Sequence, residues 1–262
     1  MFEPFLLSRS QSNSRVVVIC DHARNTVPPE LPETLGLPPE RMERHIAWDV
    51  GAEGVARALA ETLDATLVLS TYSRLVIDPN RGLDDPTLMR AIYDGVIIPA
   101  NLHLDHAEQQ RRINTYYRPY HAAIESALNL IKARGEVPII LSIHSYTPQL
   151  IGKAPRPWHV GILWDEVDGR LAKPLIASLG ADPDIVVGDN EPYSGTFPGD
   201  TMASQVYAQG LPGTLLEVRN DLIATPETQR GWGHLLAQHV KPLLEEPETM
   251  RIFDRTGGQP HG

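Results

Sequence analysis

Cysteine is almost absent from this sequence of 262 residues, in which Cys20 is the single example. No disulfide can form within the chain, and neither a zinc site of paired cysteines nor an iron–sulfur cluster can be built. Residues 1–5 include an acid and a proline instead of the basic residues and long apolar run of a signal peptide. These absences predict a cytoplasmic protein.

Positive charge and long apolar runs are also scarce. The 23 Lys and Arg residues face 33 Asp and Glu residues, which gives a formal net charge of -10. Such a chain has no basic field to attract a nucleic acid or an anionic membrane. The longest apolar runs, at 16–20 and 138–141, are far shorter than the roughly 20 residues that cross a bilayer. We therefore expect no nucleic-acid partner and no membrane partner.

Motifs of several common enzyme classes are missing as well. The sequence has no Gly-x-Gly-x-x-Gly segment and no Walker loop, so nothing in it supports nucleotide binding. It also lacks the Gly-x-Ser-x-Gly motif that carries the nucleophile of serine hydrolases. Any catalysis must therefore depend on other side chains.

Strand-like and helix-like segments alternate along the whole chain, a pattern typical of α/β proteins. We predict a three-layer α/β/α fold with a mixed, largely parallel central sheet, in one catalytic domain over 1–262 with an excursion at about 82–104. The predicted strands are 16–20, 66–70, 74–77, 137–142, 159–164, 185–187 and 214–218. The predicted helices are 46–63, 105–134 with a kink at Pro119, 167–179, 201–209 and 225–245.

Three polar residues end or interrupt apolar strands. His22 follows the run at 16–20, His144 follows the run at 138–141, and Glu217 lies within the strand at 214–218. In open α/β sheets, ligands bind at the carboxyl ends of the strands. A buried carboxylate such as Glu217 costs several kcal/mol unless a cation, a metal site or a proton stabilises it.

Two imidazoles and a carboxylate can form a metal site with an open position for water. We predict that His22 and His144 bind Zn²⁺ or another divalent metal and that Asp49 is the third ligand. Asn25, three residues after His22, is an alternative by spacing, but a neutral amide is a weak zinc ligand. Each residue alone also has a structural interpretation: a hydrogen-bonded histidine, or an acid in the positive first turn of a helix.

Two arginines, Arg74 and Arg81, flank a short apolar segment and a turn. A guanidinium can bind a carboxylate through two parallel hydrogen bonds or polarise a carbonyl beside a metal. The alternative is a structural salt bridge to Asp78. The polar loop at 188–195 is suited to contact a ligand or to form an ordinary surface turn. His45 lies in a helical stretch and is expected to be a surface or packing residue.

The order of these segments resembles the N-formylglutamate amidohydrolase family, which is grouped with zinc carboxypeptidases and aspartoacylases. The resemblance covers nearly the whole chain and is carried by residues 16–28, 46–51, 72–74, 80–81, 142–145, 190–195 and 216–221. It implies a fold of the phosphorylase/hydrolase type, like that of zinc exopeptidases. It also implies a zinc-dependent hydrolase of linear amide C–N bonds.

The resemblance further implies roles for individual residues. His22 and His144 would be zinc ligands completed by a carboxylate, and Glu217 would be the general base. Arg74, together with an Asn-Arg pair, would polarise the scissile carbonyl and bind the substrate carboxylate. The residues implied or expected to bind substrate are Asn80, Arg81, Asn190, Tyr193, Ser194 and Arg219.

The sequence departs from the family pattern at two points. Many zinc carboxypeptidase relatives carry a Glu three residues after the first His, where this chain has Asn25. Formylglutamate enzymes commonly show His-Ser-Gly at the first ligand, whereas residues 22–24 are His-Ala-Arg. The first departure concerns the identity of the third metal ligand, and the second concerns the identity of the substrate.

The leading hypothesis is an amidohydrolase of amino acid metabolism whose substrate is a small N-formyl or N-acyl amino acid. N-formyl-L-glutamate or a similar acidic compound is the expected substrate. One alternative is a carboxypeptidase-like or aspartoacylase-like deacylase. Another is a non-catalytic small-anion binding protein on the same fold. The sequence leaves the acyl group, the metal and the oligomeric state open.

Overall fold

Seven strands form one central sheet in a computed structural model of the protein, which describes residues 2–150 and 152–255. The strands of this sheet are β1 Phe5–Ser8, β2 Val16–Cys20, β3 Thr66–Ser70, β6 Ile139–Tyr146, β7 Val160–Leu163, β8 Val187–Asp189 and β9 Gly213–Arg219. A separate hairpin consists of β4 Ile92–Tyr93 and β5 Val96–Ile97. The α-helices are α1 Pro39–Met42, α2 Ala52–Thr62, α3 His106–Arg112, α4 Arg118–Ala133, α5 Ala172–Gly180, α6 Thr201–Gln205 and α7 Pro226–Val240.

The strand order in the sheet is β1-β3-β2-β6-β9-β7-β8. Strands β3, β2, β6 and β9 run parallel to one another, and β8 runs parallel to β7, whereas β1 pairs antiparallel with β3 and β7 pairs antiparallel with β9. The sheet is therefore mixed and largely parallel, and this part of the prediction is confirmed. Because β2, β6 and β9 are parallel, their carboxyl ends meet at one edge of the sheet.

Helices cover both faces of the sheet. Side chains of α2, α5 and α7 pack with one face in one buried cluster, and side chains of α4 and α6 pack with the other face in a second cluster. All five residues of β2 are buried, as expected for a parallel strand between two helical layers. The predicted three-layer α/β/α arrangement is confirmed.

The helix predicted at 46–63 begins only at Ala52. Gly51 precedes it with a φ of 83°, a left-handed conformation that glycine adopts readily. A side chain there would also lie 2.5 Å from the Ile223 carbonyl oxygen. Asp49 therefore lies in the turn before α2, not one turn inside it, and its backbone N–H donates to the carbonyl of His22 over 2.9 Å.

The strand predicted at 74–77 is wrong, because these residues form a turn. Leu75, Val76 and Ile77 are buried in a third apolar cluster, so their apolar character reflects burial and not strand pairing. The backbone N–H of Val76 donates to the Ser73 carbonyl, which closes the turn. This turn carries Arg74 to the edge of the sheet.

Strand β6 continues to Tyr146, beyond the predicted end at 142. It pairs with β9 over this added length, and His144 lies opposite Glu217 in the register. The helix predicted at 105–134 is interrupted by a π-helical segment at Ile113–Tyr117, after which Pro119 occupies the first turn of α4. Pro119 therefore lies at the break in the predicted helix, and its missing N–H removes one backbone hydrogen bond there.

The remaining helices differ from prediction mainly at their ends. The helix at 167–179 begins later, at Ala172, and the closing helix ends at Val240 before a 3₁₀ turn. The segment predicted at 201–209 consists of α6 and a 3₁₀ turn over Tyr207–Gln209. Across the residues that the structure describes, no helix has the length and apolar character needed to cross a membrane.

Candidate active site

His22, Asp49 and His144 meet at the carboxyl edge of the sheet. His22 lies two residues after the end of β2, and His144 lies in the neighbouring strand β6. Asp49 is held beside them by its backbone hydrogen bond to His22. All three side chains are buried, and one donor atom from each lies within 4.8 Å of the others.

Both imidazoles turn the same nitrogen toward Asp49. The Nδ1 atom of His144 lies 2.8 Å from Asp49 Oδ2, and the Nδ1 atom of His22 lies 3.4 Å from the same oxygen. The Nε2 atom of His22 donates to Asp78 Oδ1 over 2.6 Å, and that of His144 donates to Asp21 Oδ2 over 3.1 Å. A carboxylate behind each histidine is the usual way in which proteins orient metal-ligating imidazoles.

Asp21 is itself held by several groups of the fold. Tyr120 donates its hydroxyl to Asp21 Oδ1 over 3.0 Å, and Thr201 donates to the same oxygen over 2.8 Å. Ser142, two residues before His144 on β6, donates to Asp21 Oδ2 over 3.3 Å. Helices α4 and α6 therefore fix the carboxylate that orients His144.

Buried negative charge exceeds buried positive charge around the two imidazoles. Asp21, Asp49 and Asp78 are at most 4% exposed. Burial alone would raise the pKa of Asp78, but the Arg74 guanidinium and then His22 outweigh burial and hold this pKa well below its usual range. Arg74 donates to Asp78 Oδ2 over 3.0 Å and to Asp49 Oδ1 over 3.3 Å.

One divalent cation would balance this charge. With neutral imidazoles, the three carboxylates and the single guanidinium leave an excess of two negative charges, and unbalanced buried charge is strongly destabilising. Two imidazole nitrogens and one carboxylate oxygen are also typical ligands of zinc and related ions. The charge and the donor set both fit a divalent metal held by His22, Asp49 and His144.

Glu217 lies beside this cluster with one oxygen unpaired. It is 7% exposed, and its Oε2 atom has no hydrogen-bond partner within the described part of the chain. Burial raises the pKa of Glu217 to about 7. A carboxyl group with a pKa near neutrality can both accept and return a proton.

A cavity of about 150 Å³ opens in front of these groups. Of the residues that the sequence predicts for the site, the cavity lining includes His22, Asp49, Arg74, Asn80, Arg81, His144, Tyr193, Ser194 and Glu217. The cavity therefore brings together the metal-ligand candidates, the candidate base and two arginines. A concave site with convergent polar groups is the usual form of a small-molecule site.

The two arginines differ in how much of their hydrogen-bonding capacity is used. Arg74 forms ion pairs with Asp49 and Asp78, and the second of these is the predicted structural salt bridge. Arg81 donates to the carbonyl of Asn80 and to Thr87, and its guanidinium lies 5.4 Å from the centre of the Phe197 ring. Of the five N–H donors of each guanidinium, Arg74 uses three on the carboxylates of Asp49 and Asp78 and Arg81 uses two, so Arg81 has more donors left for a ligand.

Two predicted substrate-binding residues lie outside the lining of this cavity. The Oδ1 atom of Asn190 accepts from the backbone N–H groups of Trp164 and Gly195, over 2.9 and 3.1 Å. Asn190 therefore holds the loop that carries Tyr193 and Ser194. Arg219 instead donates to Asp221 and to carbonyls at 156–158.

The side-chain amide of Asn25, the alternative third ligand, is hydrogen-bonded to residues outside the histidine cluster. It donates to the carbonyl of Met42 over 3.0 Å and to Glu43 Oε1 over 3.3 Å. The structure thus brings Asp49 together with the two histidines, whereas the Asn25 amide is occupied by Met42 and Glu43.

Several cavity and supporting residues are missed by sequence reasoning. Asp21 directly precedes His22, and Asp78 is considered from the sequence only as a salt-bridge partner of the arginines, whereas the contacts of both carboxylates with the histidines depend on tertiary structure. His45, expected on a surface or packing position, lines the cavity and lies 3.5 Å from Asp94 at the turn of the β4–β5 hairpin. Asp200 also lines the cavity.

Comparison with known proteins gives one family match. The family model described as N-formylglutamate amidohydrolase matches residues 14–224. No curated protein sequence matches the chain.

Two solved structures are similar over nearly the whole chain. The gene product Atu2144 of Agrobacterium tumefaciens is 33% identical with a TM-score of 0.86, and the alignment covers 93% of this chain and 95% of that one. An N-formylglutamate amidohydrolase from Ralstonia eutropha JMP134 is 24% identical with a TM-score of 0.73, and the alignment covers 92% of this chain and 98% of that one. The second similarity is one of fold.

Proposed function

Because this chain belongs to the N-formylglutamate amidohydrolase family, we propose that it is a metal-dependent hydrolase of N-formyl or other N-acyl amino acids. N-formyl-L-glutamate or a similar acidic compound is the proposed substrate, and the proposed role lies in amino acid metabolism. The observation that carries the proposal is the convergence of His22, Asp49 and His144 beside the unpaired carboxyl oxygen of Glu217. The name of the Ralstonia eutropha relative supports the same substrate class.

His22, Asp49 and His144 would hold the cation through two Nδ1 atoms and one carboxylate oxygen. Zn²⁺ is the proposed ion because it combines histidine and carboxylate ligands in hydrolases. When bound, the cation would polarise the amide carbonyl and ease the deprotonation of water.

Glu217 moves the protons of the reaction. Its unpaired oxygen accepts a proton from the attacking water as the water oxygen bonds to the acyl carbon. The same carboxyl then delivers that proton to the amide nitrogen as the C–N bond breaks. The products are a carboxylic acid and a free amino acid, so atoms and protons balance.

Arg81 and Asn80 are the proposed binding groups for the carboxylate of the substrate. Both line the cavity, and a guanidinium can donate two parallel hydrogen bonds to a carboxylate. Arg74 is proposed to polarise the carbonyl while its ion pairs hold Asp49 and Asp78 in place. Tyr193 and Ser194 would contact the substrate from the loop that Asn190 holds.

Turnover of defined substrates tests this proposal. We expect the purified protein with zinc to release formate and glutamate from N-formyl-L-glutamate. N-acetyl-L-aspartate and short peptides in the same assay represent the deacylase and carboxypeptidase alternatives. Tight binding of these anions without turnover of any of them would instead indicate the non-catalytic binding protein.

Substitution of Arg81 by Lys is expected to raise KM for N-formyl-L-glutamate by about 10-fold, with a smaller effect on kcat. Lys keeps the positive charge but loses the planar guanidinium, and one charge-assisted hydrogen bond contributes about 1.5–3 kcal/mol. Steady-state kinetics measure the effect. Arg57→Lys on the exposed surface of α2 is the matched control, and equal KM values for the two variants would remove Arg81 from substrate binding.

Substitution of Asp78 by Asn is expected to weaken metal binding by about 10- to 100-fold. An amide cannot replace the charge that receives the Nε2–H of His22 and the guanidinium of Arg74. Competition with a chromogenic chelator measures the affinity. Asp184→Asn at an exposed position is the control, and unchanged affinity in Asp78→Asn would show that Asp78 does not support the metal site.

A further inference from the structure

We propose, building on the proposed function, that Tyr207 selects substrates with an acidic side chain, because its hydroxyl donates a hydrogen bond to the side-chain carboxylate. Tyr207 lies in the 3₁₀ turn after α6 and lines the cavity. It is neither in a motif that the sequence analysis singles out nor among the candidate ligands and the candidate base. The proposal therefore adds a specificity-determining residue to the site.

Unpartnered polar atoms converge on this cavity. Within the described part of the chain, six buried side-chain atoms have no hydrogen-bond partner, and three of them belong to residues that line the cavity: Thr147, Tyr207 and Glu217. Such atoms are rare in native proteins because a buried polar group without a partner is destabilising. A ligand in the cavity can supply the missing partners. Glu217 already has a role in the reaction, which leaves the two hydroxyls.

Tyr207 is the more deeply buried of the two hydroxyl residues. It is 6% exposed, whereas the exposure of Thr147 is intermediate. Burial, and then the charges of Asp165 and Asp200, raise the pKa of Tyr207. The phenol therefore keeps its proton near neutral pH and is a hydrogen-bond donor. A carboxylate oxygen is a stronger acceptor for such a donor than an uncharged oxygen.

The ring of Tyr207 is held from two sides. It belongs to the buried cluster that includes Leu163 and Leu215, and the Arg255 guanidinium lies 5.5 Å from the ring centre. Arg255 is held in turn by an ion pair with Asp165. A hydroxyl on a fixed ring loses little freedom when a ligand binds, so its hydrogen bond can discriminate between ligands.

The surroundings of Tyr207 suit a side chain that is apolar along its length and charged at its end. Leu163, Met202 and Leu215 also line the cavity and belong to the same buried cluster as Tyr207. A glutamate side chain has two methylenes before its carboxylate. The three apolar residues can cover these methylenes while Tyr207 binds the carboxylate, and such a combination is usual in small-molecule sites.

The segment that leads to Tyr207 packs on the Asn-Arg pair. The backbone N–H of Thr201 donates to Asn80 Oδ1 over 3.1 Å, and the Phe197 ring centre lies 5.4 Å from the Arg81 guanidinium. The groups proposed for the carboxylate of the substrate therefore adjoin α6 and the turn that carries Tyr207. With Asn80 and Arg81 on the α-carboxylate, the side-chain carboxylate is left for Tyr207.

Asp200 is an acidic neighbour in the cavity lining. Its Oδ1 atom accepts from the backbone N–H of Ala203 over 2.7 Å at the start of α6. Burial raises the pKa of Asp200 to about 6. A second carboxylate nearby raises such a pKa further, so the two carboxyl groups can share one proton. Asp200 is therefore compatible with an acidic substrate side chain.

Substitution of Tyr207 by Phe removes only the hydroxyl. With zinc-loaded enzyme, we expect kcat/KM for N-formyl-L-glutamate to fall by about 10-fold, mainly through KM, as for one charge-assisted hydrogen bond. For N-formyl-L-norleucine, whose side chain ends in a hydrocarbon, kcat/KM is expected to stay unchanged. Because no described residue is hydrogen-bonded to the hydroxyl, its loss is expected not to lower Tm.

Tyr72→Phe is the matched control. The Tyr72 hydroxyl is also buried and without a partner among the described residues, but Tyr72 is not part of the cavity lining. Its ratio of kcat/KM for the two formyl compounds is expected to equal that of the wild type. An unchanged ratio in Tyr207→Phe, whatever its Tm, would overturn the proposal. Equal losses with both compounds would also overturn it, because the hydroxyl would then not act on the side-chain carboxylate.

Binding of the product amino acids tests the role of Tyr207 without turnover. Calorimetry gives Kd for L-glutamate and L-norleucine, and Tyr207→Phe is expected to weaken binding of L-glutamate alone, by about 10-fold. Absence of turnover of both formyl compounds by the wild type would overturn the proposed function itself. Normal turnover by the wild type, with equal Kd values for L-glutamate in the wild type and in Tyr207→Phe, would overturn only the role of Tyr207.

Discussion

Substitution of Glu217 by Gln is expected to lower kcat for N-formyl-L-glutamate by about 10²- to 10⁴-fold. Gln keeps the shape of the side chain between the β6 and β7 strands but cannot accept the proton of the attacking water. Since Glu217 is not among the three ligand candidates, bound metal is expected to stay at the wild-type level. Kinetics, elemental analysis and thermal unfolding on one preparation measure the three quantities.

The three measurements assign the role of Glu217. Loss of metal together with activity would make it a ligand. A lower Tm with normal turnover per folded molecule would make it a structural residue, and either result would contradict the general-base assignment. Glu191→Gln is the control, because Glu191 is exposed in the loop near the cavity and is expected to leave all three values unchanged.

Substitution of His144 by Ala is expected to remove both the metal and the activity. Lewis-acid stabilisation is worth several kcal/mol, so we expect kcat/KM to fall by at least about 10³-fold. Treatment of the wild type with a chelator is expected to give the same loss, reversed when zinc is returned. Zinc added at concentrations that saturate the wild type is not expected to restore the activity of His144→Ala.

His234→Ala provides the control for this experiment, because His234 is an exposed histidine on α7. It is expected to retain both metal and turnover. An enzyme that stays fully active after chelation, with metal removed, would contradict the metal-dependent mechanism. So would a His144→Ala variant with unchanged kcat/KM.

The sequence predicts the centre of the sheet well because these strands are defined by local patterns. The apolar runs at 16–20 and 66–70 become β2 and β3 with the predicted limits. A parallel strand buried on both faces needs a continuous apolar run, so its limits are visible in the sequence. His22 is predicted at the sheet edge because it lies two residues after such a run.

The limits of prediction appear where tertiary contacts decide the local conformation. The apolar residues at 75–77 suggest a strand, but they fill a buried turn. Asp49 is predicted inside a helix, whereas Gly51 and the hydrogen bond to His22 place it in the preceding turn. Residue spacing in the sequence shows neither the burial of the turn at 75–77 nor the hydrogen bond between Asp49 and His22.

The carboxylates that orient the two histidines are also beyond prediction from local sequence. Asp21 and Asp78 are 57 positions apart in the sequence, and each meets a histidine only through the folded sheet edge. For Asn190, the sequence motif predicts substrate binding, whereas in the structure its side chain accepts hydrogen bonds that hold its own loop. Gly195 is needed there because a side chain would lie 2.2 Å from the Trp164 carbonyl oxygen.

The metal content of the active wild-type protein tests the central claim most directly. Elemental analysis of the purified chain, after dialysis against metal-free buffer, gives the number of divalent ions per chain. The arrangement of His22, Asp49 and His144 predicts one ion per chain, with turnover proportional to the occupied fraction. Full turnover by a chain that contains no divalent metal would contradict the account.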